Sequence, residues 1–210
     1  MRSNVTGLYG ILPADLPTKD LLFKAENALK GGLQILQFRD KKSGYKRALK
    51  RAAALRECTS VYGACLIIND SVQMAKEVGA DGVHLGRDDV VNLADVREDV
   101  GENMLIGVTC RADAVFAKLA LQQGADYVSF GAVFASQSKP DVPVLGLPRL
   151  QKARQMFPGV NICAIGGITL DNIAQVKQAG ATSAAIISGL FDAKHIQEKT
   201  AALMQAWQTA

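Results

Sequence analysis

Charge in this sequence gathers where apolar runs stop. The run "LQILQF" (33–38) is followed at once by Arg39, Asp40, Lys41 and Lys42. Read as a strand, it alternates, so Ile35, Gln37 and Arg39 share one side while Leu36 and Phe38 share the other. The bulky apolar pair suits a covering layer of helices. That leaves Gln37 and Arg39 facing an interior, with Lys41 just beyond them. An unpaired guanidinium in a dry core is costly. An anionic ligand would satisfy it, and so would an internal ion pair with Asp40, Asp70 or Asp89. The same punctuation recurs along the chain: "LIIND" ends in Asn69 and Asp70, "HLGRDD" carries Asp88 and Asp89, and "GVTCR" supplies Thr109 and Arg111. Carboxylates beside cations suit a Mg²⁺ that bridges phosphate oxygens, because this ion takes hard oxygen ligands and borrows some from its substrate. An Asp after a strand serves equally as a helix N-cap. Further on, "FASQSKPDVPVLG" offers Ser136, Ser138 and Lys139 as donors to phosphate oxygens on a loop long enough to cover a site, though a plain surface loop has the same composition.

The elements that must position these residues follow from hydrophobic patterning. Short β-rich runs, "GLYGIL", "LQILQF", "ACLIIN", "GVHLG", "MLIGVTC", "YVSFGAVF", "ICAIGG" and "SAAIIS", alternate with helical stretches such as 21–30, 45–56, 112–122, 150–156 and 172–178. Strand and helix in strict alternation imply a parallel sheet, and eight such units close into a single-domain (β/α)8 TIM barrel over residues 1–210. An open doubly wound sheet is the competing architecture, but no GxGxxG follows the first strand. A partial repeat, "VGADGVHL", "QGADYVSF" and "AGATSAAI", puts Gly at a helix end before a short turn into a strand. These turns belong to the N-terminal rim of a barrel, so Asp81 and Asp126 are expected to be structural. The polar strand ends collect at the opposite rim. There "AIGGITLDN" and "IISGLF", the ends of the seventh and eighth strands, place glycines where barrels commonly bind phosphate.

Composition excludes several other classes. The chain has 210 residues, is 49% apolar and carries a net charge of +4. Its densest basic stretch, Lys46-Arg47 to Lys50-Arg51, has the spacing of a solvated helix face rather than of a nucleic-acid patch. Cys58, Cys65, Cys110 and Cys163 lack metal-site spacing and fit a reducing cytoplasm. With no apolar stretch of about 18 residues, no membrane span is expected, and the Asn4-Val5-Thr6 sequon is a chance match. His84 reads as a packed or hydrogen-bonded core residue, Cys110 as an unreactive thiol, and His195 and Trp207 as parts of the last helix. Small phosphorylated molecules are the expected partners; self-association is compatible with the sequence.

In order along the chain, "LQFRDK", "IIND", "GVHLGRDD", "GVT", "DYVSFGAVFASQSK", "AIGGI" and "IISG" resemble the thiamine-phosphate synthase (thiamine-phosphate pyrophosphorylase) family. The resemblance implies a (β/α)8 barrel that joins hydroxymethylpyrimidine diphosphate to a thiazole phosphate with Mg²⁺, giving thiamine phosphate and pyrophosphate. Carried over by position, it implies that Gln37 orients the pyrimidine. Arg39, Lys41, Asn69 and Lys139 would hold the diphosphate, with Arg39, Lys41 and Lys139 stabilising the leaving charge. Asp70 and Asp89 would bind Mg²⁺. Thr109 stands where the family usually has a serine, and Ser136 and Ser138 stand where it has threonines against the thiazole phosphate. Gly167, Ile187 and Ser188 would cradle that phosphate. The family chemistry is dissociative: diphosphate departs, and the thiazole nitrogen attacks a pyrimidine methyl cation. The chain departs from the pattern at Arg111, where Gly-x-Ser-x-His would place a histidine, and at Ala135, which replaces a proline. Two alternatives share the barrel. One is a thiazole tautomerase-like enzyme, which can carry a His in the segment where this chain has Ala132; the other is a non-catalytic barrel binding thiazole or thiamine phosphate.

Overall fold

The structure, a computed structural model, describes residues 5–13, 15–87, 92–136 and 143–210. Strands and helices alternate up to a closing pair of helices: β1 (Gly7–Ile11), α1 (Thr18–Lys30), β2 (Ile35–Phe38), α2 (Tyr45–Val61), β3 (Cys65–Asn69), α3 (Val72–Glu77), β4 (Gly82–Leu85) and α4 (Leu93–Val100). The second half continues with β5 (Leu105–Arg111), α5 (Ala114–Gln122), β6 (Tyr127–Gly131), α6 (Leu147–Met156), β7 (Asn161–Ile165), α7 (Ile173–Gln178), β8 (Ser183–Ile186), α8 (Ser188–Phe191) and α9 (Ile196–Gln208). Each strand pairs in parallel with the next and β8 pairs with β1, so the sheet closes as the expected eight-stranded barrel.

Alternation of side chains divides the apolar residues into two cores. Leu36, Phe38, Leu66, Ile68, Val83, Ile106, Val108, Val128 and Phe130 point outward and are sealed by the helices. Tyr9, Ile35, Ile67, Leu105, Tyr127, Cys163 and Ala185 fill the barrel interior. Toward the C-terminal ends the inner residues of β2 to β6 are polar (Gln37, Asn69, His84, Thr109 and Ser129), while Ile11 and Ile165 keep β1 and β7 apolar, and that division puts chemistry at one mouth. At the other rim, Asp81 accepts from the Leu66 N–H and pairs with Arg56, while Asp126 accepts from the Ile106 N–H and pairs with Arg97. Both carboxylates lock one strand to the next, the structural role the repeat implied. Thr182, in the same place in the third repeat, donates to the Ile162 carbonyl at 3.1 Å.

Three element boundaries differ from the sequence reading. Helix α2 runs on to Val61 through Thr59 and Ser60, whose hydroxyls donate to the Arg56 carbonyl within the helix. Helix α6 begins at Leu147, with Pro148 in its first turn, where the missing N–H has no partner to lose. Strand β5 continues through Cys110 to Arg111, with a register shift against β6 between Thr109 and Arg111. Cys110 therefore turns away from the mouth into the helix-side core, where burial pushes its thiol up to about 12.

Candidate functional site

A cavity of about 700 Å³ opens at the C-terminal mouth. Gln37, Arg39, Asn69, Thr109, Ser136, Gly167, Ile187 and Ser188 all line it, as does Arg111. Strand geometry explains this convergence: all but Ser136, which is on the loop after β6, sit in the C-terminal half of a strand or within two residues of its end, so closing the barrel turns a linear series into a ring. Lys41 and Asp70 stand at the same rim outside the cavity wall and pair with each other at 3.0 Å. Asp89, Ser138 and Lys139 lie outside the described residues.

The loop after β2 is held from below. Asp40 turns away from the cavity, accepts from the Lys42 and Ser43 N–H groups, and pairs with Arg51 of α2; this ion pair is nearly inaccessible to solvent. Burial pushes the Asp40 carboxyl up, but the Ser43 and Lys42 donors and the Arg51 guanidinium more than offset it, leaving it below its usual range. Arg51 also donates to the Leu16 carbonyl at 2.7 Å. Arg39 and Lys41 thus project from a fastened turn, and the sequence's charge cluster resolves into structural residues and rim cations.

Among the described residues, Asp70 (φ 65°) and Arg111 (φ 53°) are the non-glycine residues with left-handed backbone. Both are at this mouth, and strained backbone of this kind concentrates at functional sites. The Asp70 N–H donates to the His84 carbonyl at 2.9 Å, fixing the turn against β4. After β7, Gly166 and Gly167 take φ of 105° and 63°, and a Cβ on Gly167 would come within 2.3 Å of the Ala135 carbonyl. The glycine pair lets the loops after β6 and β7 close on one another beside the cavity.

Sequence reasoning missed the floor. Tyr9 and Ser129 line the cavity together with His84, and Tyr127 lies behind them, fully buried. Burial raises both tyrosines well above their usual range and lowers His84 to about 4, so the floor is uncharged at neutral pH. His84 is hydrogen-bonded on both ring nitrogens, as expected of a core histidine, yet it belongs to the cavity wall. Period-two alternation does place Tyr9 and Tyr127 inside; nothing local marks them as partners. A smaller cavity of about 360 Å³ at the opposite rim includes Arg56, Asp81 and Cys65, whose thiol burial pushes up to about 12.

A closed barrel whose C-terminal mouth opens into a cavity with an uncharged floor, and with Arg39 and Arg111 beside Asp15 and Asp192 in its wall, defines a (β/α)8 barrel of the kind that binds small molecules at that mouth. The model of the thiamine monophosphate synthase family matches residues 8–190, and the chain belongs to that family. It is 44% identical over 187 residues to thiamine-phosphate synthase of Thioalkalivibrio sulfidiphilus, covering 88% of this chain and 87% of that protein. To the Chromobacterium violaceum thiamine-phosphate synthase it is 42% identical, covering 92% of each. Among solved structures, thiamine phosphate pyrophosphorylase from Pyrococcus furiosus superposes with a TM-score of 0.85 at 29% identity, over 98% of this chain and 97% of that one.

Proposed function

We propose that the mouth condenses hydroxymethylpyrimidine diphosphate with hydroxyethylthiazole phosphate to give thiamine phosphate and pyrophosphate. The chain is then a transferase, a thiamine-phosphate synthase. The observation that carries this reading is the division of the cavity into an uncharged floor, from Gln37 to Thr109, and a charged wall where Arg39 and Arg111 stand with Asp15 and Asp192. A heteroaromatic ring suits the floor, where Gln37 offers amide hydrogen bonds and the wall excludes water. Departing diphosphate suits the rim, where Arg39, Lys41 and Lys139 would stabilise negative charge as it develops. Asn69 would add a donor. Thiazole phosphate would rest against Ser136, Ser138 and the backbones of Gly167, Ile187 and Ser188. No protein nucleophile is needed, because loss of the diphosphate generates the electrophile.

Whether Mg²⁺ suits the site is tested by its donors. No group of three metal-ligating side chains occurs among the described residues. Mg²⁺ does not require one, since it binds through one or two carboxylates together with substrate phosphates. Asp70 is a partly exposed hard-oxygen donor held beside Lys41, and Asp89 would be the second. These donors fit the ion, which would supply charge neutralisation on the diphosphate. In this reading the partners are small phosphorylated molecules and the compartment is the cytoplasm, in keeping with four free cysteines. No helix of the described residues is long and apolar enough to cross a membrane.

The discriminating experiment supplies both phosphorylated substrates and follows the thiazole. Incorporation into thiamine phosphate supports the synthase. Interconversion of thiazole isomers alone would replace it with the tautomerase reading, and saturable binding without either reaction would leave a binding barrel.

A further inference from the structure

We propose that Gln37, Tyr9, Tyr127, His84 and Thr109 form one proton-ordered chain across the barrel, in which His84 is a positioning residue that holds the Thr109 hydroxyl as a donor toward the ligand. The synthase reading enters only in saying what that ligand is. Gln37 Nε2 donates to Tyr9 Oη at 2.8 Å, and the two tyrosine hydroxyls are 2.9 Å apart. Tyr127 Oη lies 3.0 Å from His84 Nδ1, and His84 Nε2 lies 2.8 Å from Thr109 Oγ1. The members come from β2, β1, β6, β4 and β5 in turn, so the chain crosses the floor and joins two groups that face the ligand.

Its direction follows from proton counting. A hydroxyl has one hydrogen to give. In the order that gives every hydroxyl hydrogen an acceptor within the chain, Tyr9, accepting from the Gln37 amide, donates to Tyr127, and Tyr127 donates to His84 Nδ1. A neutral imidazole accepting at Nδ1 carries its proton on Nε2 and gives it to Thr109. The Ser129 hydroxyl also donates to Thr109 Oγ1, at 3.5 Å. The Thr109 proton is therefore left for the cavity, and at the other end the Gln37 carbonyl oxygen is left as an acceptor. In the opposite order, with Thr109 donating to His84 Nε2 and Nδ1–H donating to Tyr127, the Gln37 amide stays as it is but one tyrosine hydrogen loses its acceptor within the chain, so the two ligand-facing ends are coupled through the floor. Burial removes water that could scramble the order, since Tyr9, Gln37 and Tyr127 are at most 2% exposed. Gly107 keeps room for the central link: a Cβ there would stand 2.0 Å from the Tyr127 ring.

The test reads the histidine tautomer directly. Nitrogen NMR of imidazole-labelled protein at neutral pH, with His195→Gln used to assign the two histidines, is expected to show His84 neutral and protonated at Nε2. Protonation at Nδ1, a mixture of tautomers or an imidazolium would overturn the chain. Kinetics supply the second readout. Tyr127→Phe removes one oxygen from behind the cavity wall and is expected to lower kcat/KM about 3- to 10-fold, the scale of one net hydrogen bond. That loss should vanish in a Thr109→Val background, because the route to the ligand is already cut. Equal losses in both backgrounds would show that Tyr127 does not act through Thr109. If the wild-type protein made no thiamine phosphate, the synthase reading would fail while the tautomer still decided the chain.

Discussion

Arg39 stands one residue past the end of β2 and two past Gln37, ahead of the fastened turn, and lines the mouth. If it meets the leaving diphosphate, Arg39→Ala should cut kcat by about 100-fold or more, the scale of removing one preorganised charge-stabilising donor. Melting temperature should change little, because Arg39 stands at the cavity rather than in either apolar core. Near-normal steady-state turnover would remove Arg39 from the chemistry. Asp70 has a different expected signature. Asp70→Ala frees Lys41 from its partner and removes a hard-oxygen donor, so activity should fall and recover partly at raised Mg²⁺. A variant whose Mg²⁺ dependence matches that of the wild type would show that Asp70 is no ligand.

At the scale of the element, the turn between β2 and α2 depends on the buried Asp40–Arg51 pair. Arg51→Ala would strand a carboxylate in the interior and is expected to cost about 3–5 kcal/mol, read by denaturant unfolding. The Asp40 carboxyl lies below its usual range when folded, so its stabilisation is present above the unfolded value of about 3.9 and is lost as pH falls through the folded one. Stability should therefore drop in acid below about pH 4, and Asp40→Asn should weaken that slope. The sequence showed the charged cluster after Phe38 but not which member turned inward, since Arg51 is separated from Asp40 by most of a helical turn series that only folding closes. Helix ends were blurred for a similar reason: Thr59 and Ser60 look like breakers until their hydroxyls are seen bonded within α2.

Across the whole molecule, barrel closure was legible because alternating strands and helices leave few alternatives, and the mouth was legible because polar strand ends recur in order. The floor was not, since Tyr9, His84 and Tyr127 are 43 or more residues apart and meet only when the sheet closes. Asp89, Ser138 and Lys139 remain proposals carried by the family resemblance, while Gln37, Arg39, Asn69, Thr109, Ser136, Gly167, Ile187 and Ser188 share one cavity. Condensation in that cavity is the activity to test. Purified protein given hydroxymethylpyrimidine diphosphate, hydroxyethylthiazole phosphate and Mg²⁺ should release thiamine phosphate and pyrophosphate in equal amounts, and a chelator should abolish both. Absence of both products from folded, Mg²⁺-supplied protein would contradict it.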